Sequence, residues 1–268
     1  MNRLATKTAI VLGASGAGSM GPAIARRLAA EGARVVVAAR RREPLEALAR
    51  EIDGAAMVCD VTNSAQLAAL ARFAADRYGG IDVAVNAAAQ GHLAPLAETL
   101  ESDFDRMMAV NYRGAFFFLQ TMIRAMRQRR GGSIVMISTA SVRAIFESHS
   151  AYAAAKAGME HLVQAAALEH GRDGIRANVI APGLTATEMS GGFVRMPGVI
   201  PAFTRELPLG RLGTCEDIAA AAAWLASDEC FMTGAVLEVN GGLTLRRNPT
   251  MAEIQASMAA ASPALAAR

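Results

Sequence analysis

Seven short β-branched runs alternate with longer Ala/Leu/Arg-rich stretches along almost the whole chain, and this alternation limits the fold more than any other feature. The runs Thr8–Leu12, Arg34–Ala38, Ala56–Cys59, Val83–Asn86, Ser133–Ile137, Arg176–Ile180 and Val236–Val239 read as strands. Several are almost unbroken in apolar residues, as strands covered on both faces must be. Between them, Ala23–Glu31, Glu43–Ile52, Ser64–Tyr78, Asp103–Arg129, Ala151–His170 and Glu216–Ala226 carry apolar residues at helical spacing. Strand–helix alternation of this kind predicts an α/β fold: a doubly wound sheet of about seven parallel strands, with right-handed crossovers placing helices on both faces. The 268 residues suffice for one large core, with no linker or solenoid repeat to divide them. Two segments break the alternation. Residues 184–212 mix Gly, Pro, Phe and Met without a clear period, and residues 243–268 are rich in Ala and Met. The expected organisation is a single catalytic domain over 1–242 that includes a lid at 184–212, followed by an extension at 243–268.

Composition removes several functional classes. Hydrophobic residues make up 53% of the chain, yet Arg, Gly or Asp interrupts every apolar stretch before membrane-spanning length. The opening Met1–Lys7 lacks the layout of a secretory signal, so a cytoplasmic location with no membrane partner is expected. Cys59, Cys215 and Cys230 form no Cys-x-x-Cys pair and histidines are scattered, which argues against a zinc site or a disulfide framework; no metal is expected. A net charge of +3 and 5% aromatics argue against nucleic acid. Of the two basic runs, Arg127 to Arg130 reads as a solvated helix end, and Arg40-Arg41-Arg42 reads as part of a site.

The first strand is followed by Gly13-Ala14-Ser15-Gly16-Ala17-Gly18-Ser19-Met20-Gly21 and then Pro22. A glycine-rich turn between strand and helix lets backbone approach a pyrophosphate, and the helix N-terminus adds unpaired N–H groups and a favourable dipole. Pro22 suits an early helical position. The second strand ends in Ala39 and Arg40, where an NAD enzyme usually carries an acidic residue for the ribose hydroxyls. A guanidinium there can instead pair with a 2′-phosphate, so NADP(H) is favoured over NAD(H).

With these motifs the chain resembles the short-chain dehydrogenase/reductase family over roughly residues 5 to 242. Its glycine turn is similar to Thr-Gly-x-x-x-Gly-x-Gly; Asp60 matches the family's adenine-contacting Asp; and Asn86-Ala87-Ala88-Ala89 resembles Asn-Asn-Ala-Gly. Asn111 matches the helix Asn, Tyr152 and Lys156 match Tyr-x-x-x-Lys, and Pro182-Gly183 with Thr185 and Thr187 resembles the nicotinamide turn. Gly210-Arg211-Leu212-Gly213, Thr233-Gly234 and Asn240-Gly241-Gly242 follow its C-terminal pattern. The resemblance implies a Rossmann-type fold and cofactor contacts from Gly13, Ser15, Gly18, Ser19, Met20, Gly21, Arg40, Asp60, Val61, Asn86, Tyr152, Lys156, Pro182, Gly183, Thr185 and Thr187. The sequence departs from the pattern in a glycine turn two residues longer, in Leu12 for Thr, in Ser19 at the middle Gly, and in Ala87 and Ala89.

The resemblance also implies the chemistry. Tyr152 would protonate a carbonyl oxygen as hydride reaches carbon, or take the hydroxyl proton in reverse. Lys156 and the positive nicotinamide ring would lower the phenol's pKa from its reference of about 10. Lys156 would also bond the nicotinamide ribose, and Asn111 would hold a water linking it to solvent. The hydroxyl that positions the substrate oxygen is Ser138 or Thr139: counting from Gly132 selects Thr139, and side-chain type selects Ser138.

Met189, Phe193, Val194, Met196, Val199, Ile200 and Phe203 in the lid suit a medium-to-large apolar carbonyl compound or secondary alcohol, and equally suit packing of the lid. His92, His149 and Arg143 receive no role. The tail reads as a short helix with Met251, Ile254 and Met258 on one face, covering a neighbouring subunit's site or fraying. The family's habit implies a homo-oligomer, dimer or homotetramer, for which Phe116-Phe117-Phe118 offers apolar surface. The expected activity is an NADP(H)-dependent carbonyl reductase or alcohol dehydrogenase. The alternatives are a 3-oxoacyl-thioester reductase, weakly supported by Arg124 to Arg130, and a dinucleotide-binding sensor on the same fold.

Overall fold

All seven runs form strands of one parallel sheet in the computed structural model, which describes residues 2–129 and 131–261. Arg130 of the second basic run, and residues 262–268 of the extension, lie outside the described residues. The strands are β1 (Thr8–Leu12), β2 (Arg34–Ala39), β3 (Ala55–Val58), β4 (Val83–Asn86), β5 (Gly132–Ile137), β6 (Ile175–Pro182) and β7 (Val236–Val239), in the order β3-β2-β1-β4-β5-β6-β7. The order reverses at the β1–β4 pair, where Ala9 lies opposite Val83 and Leu12 opposite Asn86.

Successive strand residues point to opposite faces, and both faces are covered. Ile10, Leu12, Val36 and Met136 join one core with Leu67, Phe118, Met122 and Val163. These come from α3 (Ser64–Tyr78), α5 (Gly114–Arg127) and α6 (Ser150–His170). Val11, Val35, Val37 and Val85 join the other core with Ile24, Leu28, Leu48 and Ile218. These come from α1 (Met20–Ala30), α2 (Arg42–Glu51) and α9 (Cys215–Ala226). Helix ends follow local chemistry. Asn63 caps α3 by accepting from the Ala65 and Gln66 N–H groups, and Thr214 and Asp217 form a capping box at α9.

The stretch expected as one helix from Asp103 to Arg129 is three pieces. Between α4 (Glu101–Met108) and α5, Ala109–Arg113 makes a π-helical turn. The widened turn buries Asn111, whose amide bonds Gln90 backbone from both ends. Apolar spacing cannot reveal a single inserted residue of this kind. Of the phenylalanine triplet, Phe118 is buried in the core and Phe116 is exposed.

Residues 184–212 contain two short helices, α7 (Gly191–Val194) and α8 (Val199–Thr204). The tail helix α10 (Met251–Ala261) packs on α8 of its own chain. Ile254, with Met251 and Met258, joins Phe146, Val199, Ala202 and Phe203, and the Ser257 hydroxyl donates to the Gly198 carbonyl at 2.8 Å. The apolar face Met251/Ile254/Met258 therefore closes over this subunit's lid. No helix among the described residues is long and apolar enough to cross a membrane.

Candidate active site

A cleft of about 1140 Å³ opens beyond the C-terminal ends of the strands, across the β1–β4 reversal. Open α/β sheets bind ligands at this position. One rim is the glycine turn. Gly13 has φ +90°, and its N–H donates to the Ala38 carbonyl at 2.8 Å. A Cβ on Gly13 would lie 2.4 Å from the Ala88 nitrogen, and one on Gly21 would lie 2.3 Å from the Gly13 carbonyl oxygen. These two glycines let the turn lie flat against β4 and against the first turn of α1. Helix α1 starts at Met20, earlier than the expected Ala23, and its N-cap Ser19 makes no side-chain capping bond. N–H groups left uncapped by side chains at a helix N-terminus are what a pyrophosphate cradle requires.

Most of the expected cofactor residues line this cleft: Gly13, Ser15, Ser19, Met20, Gly21, Arg40, Asp60, Val61, Tyr152, Lys156, Pro182, Gly183, Thr185 and Thr187. Gly18 lines a smaller neighbouring hollow. Asn86 and Asn111 lie behind the wall. Asn86 accepts from the Ala88 N–H at 3.0 Å, and the Asn111 amide donates to the Gln90 carbonyl at 2.9 Å, so both shape the 87–90 loop. Asp60 accepts from the Thr62 N–H and hydroxyl, each at 2.8 Å. Burial works to raise the Asp60 carboxyl, but the Thr62 bonds and the nearby Arg40 hold it below its ordinary value. The Pro182 turn is knitted by Thr185, which donates to the Gly183 carbonyl, and by Ser190, which bonds both Thr185 and Thr187.

One feature on this side escaped the sequence. Arg41 forks onto Glu188 of the lid, with contacts of 2.9 and 2.8 Å, and also donates to the Ser15 carbonyl at 2.7 Å. Neighbouring Arg40 also lines the cleft and has no ion-pair partner within 4 Å among the described residues.

Tyr152 and Lys156 sit one turn apart on α6, both buried at the cleft floor. The Lys156 ammonium donates to the Ile137 carbonyl at 2.8 Å and lies 5.8 Å from the centre of the Tyr152 ring. Burial pushes the Tyr152 phenol up to about 12. Burial also pushes Lys156 down to about 8, against the opposing pull of Glu160. Burial thus disfavours the phenolate in the protein alone, whereas the lowering expected from Lys156 includes the positive nicotinamide ring.

The structure separates Ser138 from Thr139. The Ser138 hydroxyl is buried and donates to a Glu160 oxygen at 2.6 Å. Glu160 in turn holds Arg143 at 2.7 Å, and Arg143 reaches Glu238 at 3.2 Å. The hydroxyl favoured by side-chain type is thus tied to a buried carboxylate. Thr139 is less buried and makes only longer local contacts with Ser141, of 3.2 and 3.3 Å. A hydroxyl so loosely held remains available to a ligand. The Lys156–Glu160 spacing, one helical turn, was the only sequence hint of the buried network.

Elsewhere in the cleft, Phe146 packs against Phe203, and Phe193 packs edge-on to Phe203. His149 stacks on Tyr152, with ring centres 4.7 Å apart and planes 26° apart. Burial, then the neighbouring His92, pushes His149 down to about 4, so the ring is neutral. His149 Nδ1 and His92 Nε2 are buried without a hydrogen-bond partner among the described residues, although both side chains line the cleft.

A neutral buried imidazole makes stability depend on acid. The unfolded chain takes up this proton near pH 6.5 and the folded chain near 4. Stability from this group is complete above pH 6.5 and falls as pH drops toward 4, by on the order of 2–3 kcal/mol. Denaturant midpoints between pH 4 and 7 should show this slope in the wild type and a shallower one in His149→Phe; equal slopes would contradict the assignment.

A family model described as Enoyl-(Acyl carrier protein) reductase matches residues 13–244. The chain is 38% identical over 245 residues to an uncharacterized oxidoreductase of Mycobacterium bovis, covering 89% of this chain and 97% of that protein. It is 36% identical over 251 residues to D-threitol dehydrogenase of Mycolicibacterium smegmatis, covering 91% and 95%. A solved short-chain type dehydrogenase/reductase from Mycobacterium ulcerans superposes with a TM-score of 0.89 at 28% identity, covering 97% of this chain and 95% of the other.

Proposed function

The chain belongs to the short-chain dehydrogenase/reductase family of oxidoreductases, and from this we propose that it interconverts a carbonyl compound and a secondary alcohol with NADP(H). The observation that carries the reading is the pair Tyr152 and Lys156, buried together at the floor of a cleft whose rim is the glycine turn. Arg40, at the tip of β2 and without an ion-pair partner among the described residues, supports the phosphorylated cofactor. The turn from Gly13 to Gly21, Asp60 and the Pro182–Thr187 segment would hold the rest of the dinucleotide, which supplies or accepts the hydride.

The protein's part is then to position, to exclude water and to move one proton. Tyr152, pushed up to about 12, keeps its proton at the hydroxyl through neutral pH, which suits donation to a carbonyl oxygen. Lys156, at about 8, stays mostly protonated at pH 7 and offers the charge that stabilises the phenolate left behind. Thr139 would donate to the substrate oxygen, while Ser138 braces Glu160 behind it. Phe146, Phe193 and Phe203 would take the substrate's apolar part, which favours a medium-to-large ketone. The neutral His149 beside Tyr152, together with the likeness to D-threitol dehydrogenase, supports a second reading, a polyol substrate.

Thr139→Ala should lower kcat by about 10²-fold, with Thr139→Ser recovering most of it. Ser138→Ala should instead cost stability, on the order of 1–3 kcal/mol, and leave kcat within about threefold of wild type. Steady-state rates and denaturant melts of the three variants check this, and a reversed pattern would move the role to Ser138. The function itself is tested by following NADPH and NADH oxidation across aromatic and alicyclic ketones, ketoses and a 3-oxoacyl thioester. Tight cofactor binding with no turnover on any of them would refute the enzyme reading.

A further inference from the structure

The Arg41–Glu188 bridge crosses the rim of the cofactor cleft. Arg41 comes from the end of β2 and Glu188 from the lid, and both line the cleft together with Ser15. Arg41 is aimed by the glycine turn: it donates to the Ser15 carbonyl at 2.7 Å and lies 3.4 Å from the Ser15 hydroxyl. Both terminal nitrogens then engage both carboxylate oxygens of Glu188. The carboxylate also lies close over the turn: a Cβ on Gly16 would lie 2.4 Å from the Ser19 Oγ and 2.8 Å from a Glu188 oxygen. Glu188 and Arg41 are each about half exposed. An ion pair of this exposure is held weakly, so it opens readily.

A carboxylate and a phosphate monoester recognise the same planar fork, and the phosphate carries the larger charge. Arg41 directly follows Arg40, at the strand end where this fold reads the adenosine ribose. We propose that Glu188 is an internal competitor for the 2′-phosphate, occupying Arg41 until NADP(H) displaces it. The unphosphorylated cofactor has nothing to offer Arg41, so the bridge stays closed over it. Glu188 thereby weakens NADP(H) selectively, and displacing it releases the lid's tie to the glycine turn. Cofactor identity and lid attachment are coupled through one guanidinium.

The inference rests on the NADP(H) reading above, and the test keeps the two apart. NADPH and NADH are titrated by fluorescence against wild type, Glu188→Gln and Glu229→Gln. Glu229 precedes β7, at the sheet edge opposite the cleft, and controls for net charge. In Glu188→Gln the ratio of the NADH Kd to the NADPH Kd should rise about threefold or more, through tighter NADPH binding. In Glu229→Gln it should stay at the wild-type value. An unchanged ratio in Glu188→Gln, or equal weakening of both cofactors, would overturn the competition and leave only a structural tie. Tighter binding of NADH than of NADPH by the wild type would refute the NADP(H) reading, whereas the Glu188→Gln ratio would still decide the competition.

Discussion

Tyr152→Phe lowers kcat by about 10³-fold while NADPH binds within about twofold of wild type; this is the largest catalytic effect expected in the molecule. The substitution removes one oxygen and leaves the ring. The ring is what the protein packs: it is 8% exposed, stacks on His149 and touches Met107 and Ala151. Phenylalanine keeps those contacts, so the fold and the cleft persist. What disappears is the phenol proton placed beside Lys156 at the cleft floor. Single-turnover oxidation of NADPH, set beside an NADPH titration, separates the two effects. A variant that turns over at the wild-type rate would remove Tyr152 from the mechanism.

Gly13→Ala should cost about 3–5 kcal/mol of stability, lower Tm by roughly 10 °C and abolish measurable NADPH binding. The backbone at Gly13 is left-handed, with φ +90°, which alone costs an alanine about 1–2 kcal/mol. The added Cβ would also meet the Ala88 nitrogen at 2.4 Å and the Ala87 carbonyl carbon at 2.6 Å. Both are main-chain atoms at the end of a central strand, so neither can swing aside as a flexible side chain would. Gly18 provides the internal control. It too is left-handed, at φ +62°, but a Cβ there meets nothing within 4 Å. Gly18→Ala should therefore cost only about 1 kcal/mol. Thermal melts of the two variants, with and without NADPH, read the difference. Equal losses would mean that backbone conformation, and not the close approach to β4, governs the turn.

The sheet was legible because its strands are apolar on both faces and bounded by polar turns. β1, β4 and β7 fall on the residues that the pattern predicts, and α3 does so because Asn63 and Gly79 mark its ends. The π-helical turn at Asn111 was not legible, since one extra residue leaves no mark on helical periodicity. Nor was the difference between Ser138 and Thr139. Adjacent residues at a strand end point to opposite sides, and only Glu160, twenty-two positions away, shows which hydroxyl is tied down. The depth at which Tyr152 lies was not legible either. Sequence shows the charge one turn away but not the burial that raises the phenol in the protein alone. The Arg41–Glu188 bridge spans 147 positions and belongs to the tertiary fold alone.

Three strands from the first 58 residues meet four later ones along the β1–β4 pairing, so this line is the seam between an early and a late portion of the sheet. Gly13 and Ser15 leave one side of the seam, Ala87 to Ala89 leave the other, and the cleft lies over it. A dinucleotide gripping both banks, as proposed above, would act as a weld. It would add to their cohesion a free energy that grows with its concentration, about 2.7 kcal/mol at a hundredfold excess over Kd. The same molecule that equips the chain for chemistry would then make its two portions unfold together, and a cell short of cofactor would hold a pool of this protein more easily opened along its middle.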